Sequence, residues 1–248
     1  MPAINRLKQY LISSFKKETE PAEAYNNWAL NYDDQPDNLM LALDEEMINE
    51  LFTEIDFINK IIVDIGCGTG RHWQKIVGRK PLRLLGFDVS KGMLEILKDK
   101  FPNAETHLLS DDNLKEINDN FCDIIISTLT VAHIKNIAKA LTEWARVLKP
   151  GGEIIITDFH PDLLAKGAKR TFLNNHTSVV IKNYIHPVEK IKAIARQLNL
   201  QVVRLKERNI NEAMKHYYQK QNAIVVYNKF YGSPVIYAIH LIKADAFN

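Results

Sequence analysis

The stretch Val63-Asp64-Ile65-Gly66-Cys67-Gly68-Thr69-Gly70-Arg71 decides the fold of this 248-residue chain. The run Lys60 to Asp64 (KIIVD) is rich in β-branched residues and typical of a buried strand. Three glycines at alternate positions then permit a tight turn and close backbone approach, and a helix is predicted from Arg71 to Val77. Amide groups at the start of such a helix favour polar or anionic groups. The stretch therefore predicts a strand, a ligand-binding glycine loop and a helix.

The same rhythm of apolar runs and helical patterns continues on both sides of this stretch. Further strands are predicted at Leu82 to Asp88, Glu105 to Leu109, Asp123 to Ser127, Glu153 to Asp158, Leu200 to Leu205 and Val235 to Lys243. Helices are predicted at Asp44 to Ile55, with acids in its first turn, and at Ser90 to Lys100, Asn136 to Leu148, Pro187 to Leu198 and Asn211 to Gln221. Alternation of this kind is typical of one α/β domain built on a mostly parallel sheet.

An acidic residue completes the pattern of a nucleoside site. The second predicted strand ends at Asp88, 22 residues after Gly66, where a carboxylate can accept hydrogen bonds from both hydroxyls of a ribose. Dinucleotide binding requires Gly or Ala at the sixth position of G-x-G-x-x-G, and this chain has Arg71 there, which disfavours NAD. The alternative without a function is a glycine turn beside a surface acid.

Three motifs in succession resemble those of class I S-adenosylmethionine-dependent methyltransferases: VDIGCGTG, GFDVS and LKPGGEIIITD. The segment Tyr25 to Asp33 is similar to the one that precedes the domain in methyltransferases of ubiquinone and menaquinone biosynthesis. The resemblance implies a Rossmann-like, seven-stranded, mostly parallel sheet with an antiparallel last strand and helices on both faces. It also implies one methyltransferase domain over 1–248, divided into a helical lead (1–56), a donor-binding core (57–158) and a substrate-side elaboration with closing strands (159–248).

The resemblance also assigns roles to single residues. Asp64 would help to hold the amino group of the donor, Gly66, Gly68 and Gly70 would form its loop, and Asp88 would bind the ribose. Val89 or Met93 would pack on adenine, and Thr128 would border the methyl group. One of Tyr25 and Tyr32 would close over the donor; the alternative is that both belong to an aromatic stripe, with Trp28, that packs the helical lead on the core. An acid after the third strand meets the adenine amino group in this family; Asp111 and Asp112 are the candidates, although an ungapped match places Ser110 there.

Catalytic residues are harder to predict than cofactor residues. A sulfonium donor carries its own electrophile and a neutral leaving group, so positioning and exclusion of water can supply most of the acceleration. If the acceptor is protic, histidine is the usual base. His133 and His160 follow the fourth and fifth strands at the edge of the sheet where ligands bind, and each is a candidate either for the substrate pocket or for a structural hydrogen bond.

Composition excludes several classes of protein. Hydrophobic residues make up 46% of the chain and charged residues 25%, as in ordinary globular domains, and no apolar run approaches the length of a membrane helix. Two cysteines do not form a disulfide framework, and the histidines lack the spacing of a metal site, so no metal is predicted. Residues 1–17 are predicted to form a basic amphipathic helix rather than a secretion signal, and a cytoplasmic location is expected.

The net charge of +2 conceals an uneven distribution. Residues 1–158 have 18 basic and 25 acidic side chains, whereas residues 159–220 have 12 basic and 4 acidic ones. Arg204, Lys206 and Arg208 alternate along a predicted strand and so share one face. This basic segment is either a solvated surface or a site for an anionic small molecule or RNA.

The sequence thus predicts an enzyme that transfers a methyl group from S-adenosylmethionine to an oxygen, nitrogen or carbon atom of a small molecule, with anionic acceptors among the candidates. The expected partner is this small-molecule acceptor; nucleic acid is disfavoured and no membrane is involved. The alternatives are an RNA methyltransferase and a non-catalytic protein that binds S-adenosylmethionine.

Overall fold

The fold was examined in a computed structural model that describes residues 18–110, 114–174 and 177–245. Its strands are β1 (Ile61–Ile65), β2 (Arg83–Asp88), β3 (Glu105–Leu108), β4 (Cys122–Thr128), β5 (Leu148–Phe159), β6 (Thr171–Asn174), β7 (Thr177–Val180), β8 (Leu200–Asn209) and β9 (Pro234–Lys243). Its helices are α1 (Pro21–Trp28), α2 (Leu39–Phe52), α3 (Trp73–Val77), α4 (Lys91–Lys100), α5 (Ile137–Val147), α6 (Pro161–Ala165), α7 (Val188–Gln197), α8 (Lys215–Lys220) and α9 (Ile224–Phe230). Three short 3₁₀ turns accompany them, at Ala29–Asn31, Val131–His133 and Glu212–Met214.

Seven strands form one sheet in the order β3-β2-β1-β4-β5-β9-β8. The strands from β3 to β5 pair in parallel, and β9 runs antiparallel to both of its neighbours. Strand β1 lies between β2 and β4, so the chain changes direction across the sheet at this point. Ligands bind at the carboxyl ends of the strands beside such a switch. The predicted fold class, including the reversed last strand, is confirmed.

Alternate residues of the central strands belong to two separate cores. Ile62 and Ile124 pack in one cluster with helix α2, whereas Val63 and Ile125 pack in the other with helices α5 and α7. This alternation is the period of a strand covered on both faces. The β-branched runs of the sequence are therefore explained by burial on both sides of the sheet.

The predicted start of the helix before β1 is wrong. Helix α2 begins at Leu39, because Asn38 caps it by accepting hydrogen bonds from the amides of Met40 and Leu41. Asp44 consequently lies in the interior of the helix and is fully buried, rather than in an exposed first turn. Ser90 and Asn136 cap α4 and α5, next to the predicted starts.

The uneven charge of the sequence is explained by ion pairs between the two parts of the chain. On β8, Arg204 pairs with Glu54, just after the end of α2, and Lys206 and Arg208 both pair with Glu50 of α2. Other pairs of this kind are Lys169–Glu18, Arg170–Asp158, Lys182–Glu20 and Lys220–Asp37. Seven of the twelve basic residues in 159–220 thus pair with carboxylates earlier in the chain.

Two predictions concern regions for which less can be stated. The basic helix predicted over residues 1–17 lies outside the described residues, and the division at residues 56 and 158 stays a prediction. Across the described part of the chain, none of the helices is long and apolar enough to cross a bilayer.

Candidate active site

The glycine loop joins the carboxyl end of β1 to α3 and is folded back on itself. All three glycines adopt left-handed backbone angles, with φ of 73° at Gly66, 54° at Gly68 and 72° at Gly70. The amides of Gly66 and Cys67 donate to the carbonyl of Phe87 at 2.7 and 3.1 Å. A Cβ atom on Gly66 would lie 2.0 Å from the Thr130 hydroxyl oxygen, whereas one on Gly68 would meet nothing within 4 Å. The amides of Gly66 and Cys67 are therefore bonded within the protein rather than left for a ligand. The contribution of the loop is the shape of its backbone.

Asp88, at the carboxyl end of β2, is held beside this loop by two backbone amides. Its Oδ2 atom accepts from Gly68 N at 2.8 Å, and its Oδ1 atom accepts from Ser90 N at 2.8 Å. Burial raises the pKa of Asp88 to about 6, although the Ser90 and Gly68 amides oppose the shift. Each carboxylate oxygen keeps acceptor capacity, so the group can bind the two hydroxyls of a ribose.

Asp64, the last-but-one residue of β1, lies behind the loop and is not among the residues that line the adjoining cavity. Its Oδ2 atom accepts a hydrogen bond from the Trp73 indole N–H at 2.8 Å. Burial raises the pKa of Asp64 to about 7, against the effect of the Trp73 hydrogen bond. The role predicted for Asp64, through the loop, remains a prediction.

A cavity of about 460 Å³ opens at this edge of the sheet. It is lined by the glycine loop with Asp88, Val89 and Met93, and by Tyr25, Tyr32, Thr128 and His133. Most of the remaining lining is apolar: Pro21, Ala22, Ile65, Leu109, Leu114, Leu129, Ile134, Ala140 and Trp144, with Glu20, Ser110 and Thr130 as polar members. The structure thus brings together most of the residues predicted for the cofactor, including those far apart in sequence.

Two of the predicted cofactor residues that the structure describes, Gly70 and Asp64, do not line the cavity. Gly70, at the end of the loop, is packed where a Cβ atom would meet Leu97 and Trp73. Asp64 of β1 lies behind the loop, as described above. Asp111 and Asp112 lie outside the described residues, so the adenine contact stays a prediction; Ser110 does line the cavity.

The segment before the sheet covers the cavity and is attached to the glycine loop and to the residues that follow Asp88. The Asn26 carboxamide oxygen accepts from Ser90 Oγ and Gly92 N, both at 2.8 Å. The Thr69 hydroxyl of the glycine loop donates to Asp33 at 2.7 Å. Trp28 stacks on Phe172 of the β6–β7 hairpin, with ring centroids 4.6 Å apart. Helix α1 and this hairpin therefore form a cover with its own small apolar cluster.

Sequence reasoning missed a buried ionic group beneath the loop. The Asp44 carboxylate accepts hydrogen bonds from Arg71 and Thr157, and its Oδ2 atom lies 2.9 Å from Nε2 of His72. Burial alone would raise the pKa of Asp44, but His72 and Arg71 hold it well below its usual value. Arg71, the residue whose presence disfavours NAD binding, thereby fixes helix α2 to the loop. The sequence around Asp44 has the pattern of an exposed helix surface and therefore does not predict this ionic group. The group is evident only from the burial of Asp44 in the structure.

His133 lines the cavity and contacts Tyr25. Its Nε2 atom is 2.9 Å from the Tyr25 hydroxyl, and its Nδ1 atom is 3.0 Å from the carbonyl oxygen of Lys182. Burial, and then the charge of Arg170, hold the pKa of His133 well below its usual range. His133 is therefore a neutral imidazole at physiological pH.

The structure does not place His160 in the cavity. His160 is 4% exposed and caps α6, where Nδ1 accepts from Asp162 N at 3.2 Å. Its Nε2 atom lies 2.9 Å from Glu207 on β8. These contacts use both ring nitrogens. The position of His160 is therefore explained by structural hydrogen bonds, the alternative that the sequence left open, and its predicted role in the substrate pocket is corrected. Over the ranges that the structure describes, no cluster of three or more His, Cys, Asp or Glu has the geometry of a metal site.

The chain is similar to known methyltransferases. A family profile described as a methyltransferase domain matches residues 63–156. The ubiquinone/menaquinone biosynthesis C-methyltransferase UbiE of Campylobacter jejuni is 36% identical over 104 residues, covering 40% of this chain and 44% of that protein. The malonyl-[acyl-carrier protein] O-methyltransferase of Yersinia pestis is 28% identical over 160 residues, covering 63% of this chain and 53% of that protein. The chain thus spans about half the length of these relatives.

A solved structure shows the same fold. The S-adenosylmethionine-dependent methyltransferase of Mesorhizobium loti superimposes with a TM-score of 0.61 at 16% identity, covering 78% of this chain and 96% of that one. At this identity the likeness concerns the architecture. The glycine loop and the Asp88 strand both lie within the residues matched by the family profile.

Proposed function

Since the chain belongs to the class I S-adenosylmethionine-dependent methyltransferases, we propose that it transfers the methyl group of S-adenosylmethionine to a small, uncharged or cationic acceptor. The observation that carries the proposal is the cavity, which runs from the Asp88 carboxylate to the Tyr25 hydroxyl. One end suits a nucleoside, and the other leaves room for a second molecule. The donor supplies a methyl group on a positively charged sulfur that leaves as a neutral thioether.

The residues of the nucleoside end fit this donor. Asp88 accepts hydrogen bonds from the ribose, and Val89 and Met93 offer apolar surface to the adenine ring. Gly68 has open space where a side chain would lie, so the backbone can approach the donor closely. The carboxylate of Asp88 also favours a ligand that carries positive charge on its amino group and sulfur.

The acceptor end is built to exclude water. Tyr25, Tyr32 and Leu129 line it, and helix α1 with the β6–β7 hairpin lies over it. Enclosure of this kind holds the acceptor in line with the methyl group, which supplies much of the acceleration in such reactions.

The charge of the lining argues against an anionic acceptor. The described residues that line the cavity include the carboxylates Glu20 and Asp88 but no lysine or arginine. The basic face of β8, which suggested anionic substrates or RNA, is paired with Glu50 and Glu54. We therefore favour an uncharged or cationic small molecule over the anionic acceptor and over RNA. The relatives' names include both a C- and an O-methyltransferase, so the atom methylated stays open.

The test has two parts. Calorimetry measures binding of S-adenosylmethionine and S-adenosylhomocysteine to the full chain. Methyl transfer from methyl-labelled S-adenosylmethionine is then screened over a metabolite library sorted by charge, and labelled products are identified by mass. We expect donor binding and labelled products from uncharged or cationic compounds. Donor binding with no product from any class would support the non-catalytic alternative, and labelling confined to anionic compounds or tRNA would overturn the proposed acceptor.

A further inference from the structure

Three side chains from distant parts of the sequence meet at the acceptor end of the cavity. Tyr25 comes from α1, His133 from the turn after β4, and Arg170 from the segment just before β6. The Tyr25 hydroxyl is 2.9 Å from His133 Nε2, and Arg170 donates to the same hydroxyl at 3.0 Å. Tyr25 and His133 both line the cavity.

The chemistry of the partners fixes the direction of each hydrogen bond. A carbonyl oxygen can only accept, so the His133 Nδ1 atom that faces the Lys182 carbonyl at 3.0 Å carries the ring proton. The Nε2 atom is then unprotonated and accepts the Tyr25 proton. Arginine can only donate, so Arg170 occupies a lone pair of the Tyr25 oxygen. One lone pair of this oxygen remains for a ligand in the cavity.

Arg170 is itself held by the turn after β4. It donates to the Leu129 carbonyl at 2.8 Å and lies 3.3 Å from Asp158 Oδ1. Leu129 has a φ of 53°, a strained conformation for leucine that clusters at functional sites. The same guanidinium therefore fixes both the Tyr25 hydroxyl and the backbone that lines the methyl end of the cavity.

Building on the proposed methyl transfer, we infer that Tyr25 and His133 form a proton relay for an acceptor with an O–H or N–H group, and that Arg170 is its positioning residue. The bond from the acceptor atom to the methyl carbon forms as the carbon–sulfur bond breaks, and that electron pair stays on sulfur. The acceptor proton passes to the Tyr25 oxygen while the Tyr25 proton passes to Nε2 of His133. The positive charge of the sulfonium ends on the imidazolium, so total charge is conserved.

The relay explains why three segments converge at one hydroxyl. His133 remains in the neutral form that a base requires, and the Lys182 carbonyl accepts from Nδ1 both before and after proton transfer. Arg170 keeps the Tyr25 proton directed at Nε2, because a guanidinium competes for the lone pairs of the oxygen and never for its proton. A carbon acceptor without an acidic proton would make no use of this arrangement.

The experiment compares two reactions of the full chain that differ in proton transfer. The formation of S-adenosylmethionine from S-adenosylhomocysteine and methyl iodide moves no proton. Methylation of phenol, catechol and benzylamine by S-adenosylmethionine requires the loss of one. The variants are Tyr25→Phe, His133→Gln, Arg170→Gln and Arg170→Lys, and Tyr231→Phe on the exposed surface is the matched control.

We expect Tyr25→Phe, His133→Gln and Arg170→Gln to lower kcat for the protic probes by about 100-fold or more, with KM changed much less, because a general base typically contributes that much. The methyl iodide reaction should fall by much less than the protic reactions in each of these variants, and Arg170→Lys should recover part of the protic activity. Equal loss of both reactions, unchanged protic activity in Tyr25→Phe, or a wild-type protein that reacts with methyl iodide but methylates no protic probe would overturn the relay. A wild-type protein that neither binds S-adenosylmethionine nor reacts with methyl iodide would instead overturn the proposed function.

Discussion

The Asp88 carboxylate accepts a hydrogen bond from the Gly68 amide at 2.8 Å, so the acid that ends β2 is joined directly to the glycine loop that follows β1. The two motifs that identify the family are thus one structural unit. A change at Asp88 alters both the ribose contact and the support of the loop.

Replacing Asp88 should weaken donor binding. Asp88→Ala removes charged hydrogen bonds worth about 1.5–3 kcal/mol, so the Kd for S-adenosylmethionine should rise by about 10- to 100-fold in calorimetry. Glu105→Gln, which removes an exposed carboxylate that pairs with Arg83, is the matched control and should bind as wild type does. Equal affinity in Asp88→Ala and wild type would remove Asp88 from the donor site.

Donor affinity should fall as the solution becomes acidic. Burial raises the pKa of Asp64 to about 7 and that of Asp88 to about 6, and the positive charge of the donor favours the ionised form of each carboxyl. Binding measured from about pH 8 to about pH 5 should weaken by about tenfold per pH unit where one of the two groups is protonated in the free protein, and by up to about 100-fold per pH unit where both are. Asp64→Asn should flatten the upper part of this profile. Affinity independent of pH over the whole range would contradict the prediction.

When no donor is present, the free energy of unfolding should fall, rather than rise, as Asp64 and Asp88 become ionised. A carboxyl whose pKa is raised on folding contributes stability below its unfolded pKa, and this contribution is lost as the pH rises through about 6 and 7. Added S-adenosylmethionine should therefore raise the melting temperature more near pH 8 than near pH 5. Thermal unfolding at both pH values, with and without donor, measures the difference.

Asp44 should be essential for stability rather than chemistry. Asp44→Ala removes the fully buried carboxylate that pairs with Arg71 and leaves the partly buried guanidinium only its longer pair with Glu45 at 3.4 Å, and breaking a buried pair typically costs up to about 3–5 kcal/mol. Urea unfolding should show this loss, whereas Glu46→Ala on the exposed side of α2 should change the free energy of unfolding by less than about 0.5 kcal/mol. A small effect of Asp44→Ala would show that the network does not hold α2 to the loop.

The two loop glycines should differ in their tolerance of a methyl group. Both have left-handed angles, so Gly66→Ala and Gly68→Ala share a backbone cost of about 1–2 kcal/mol. Only the new Cβ at position 66 would collide with Thr130. Gly66→Ala should therefore lower the melting temperature further and weaken S-adenosylmethionine more than Gly68→Ala. Similar stability of the two variants would mean that Thr130 moves aside freely.

Removing the two glutamates that pair with β8, Glu50 and Glu54, should expose the basic face of that strand. In the double variant Glu50→Gln, Glu54→Gln, the side chains of Arg204, Lys206 and Arg208 lose their carboxylate partners. We expect this variant to elute from heparin at a higher salt concentration than wild type, because more cations can then displace counterions. Strong, salt-sensitive retention of the wild type itself would favour the RNA alternative.

The local pattern was sufficient for the framework of this protein. The β-branched runs and the glycines predicted β1, its loop and the ends of the parallel strands, because strand period and left-handed turns depend on neighbouring residues. The spacing from Gly66 to Asp88 predicted a nucleoside site for a similar reason: two adjacent parallel strands bring their carboxyl ends to one edge.

Tertiary structure decided what those residues meet. Whether Asp44 is on the surface or buried depends on Asn38, which moves the start of α2, and on the packing of that helix against Arg71. Arg170 resembles the other basic residues around it in the sequence, and only the fold directs it to a tyrosine 145 positions away. The uneven charge, read from sequence as a possible binding surface, is largely cancelled by ion pairs between distant segments. Charge and burial are sums over all neighbours in space, and a linear sequence specifies only the neighbours along the chain.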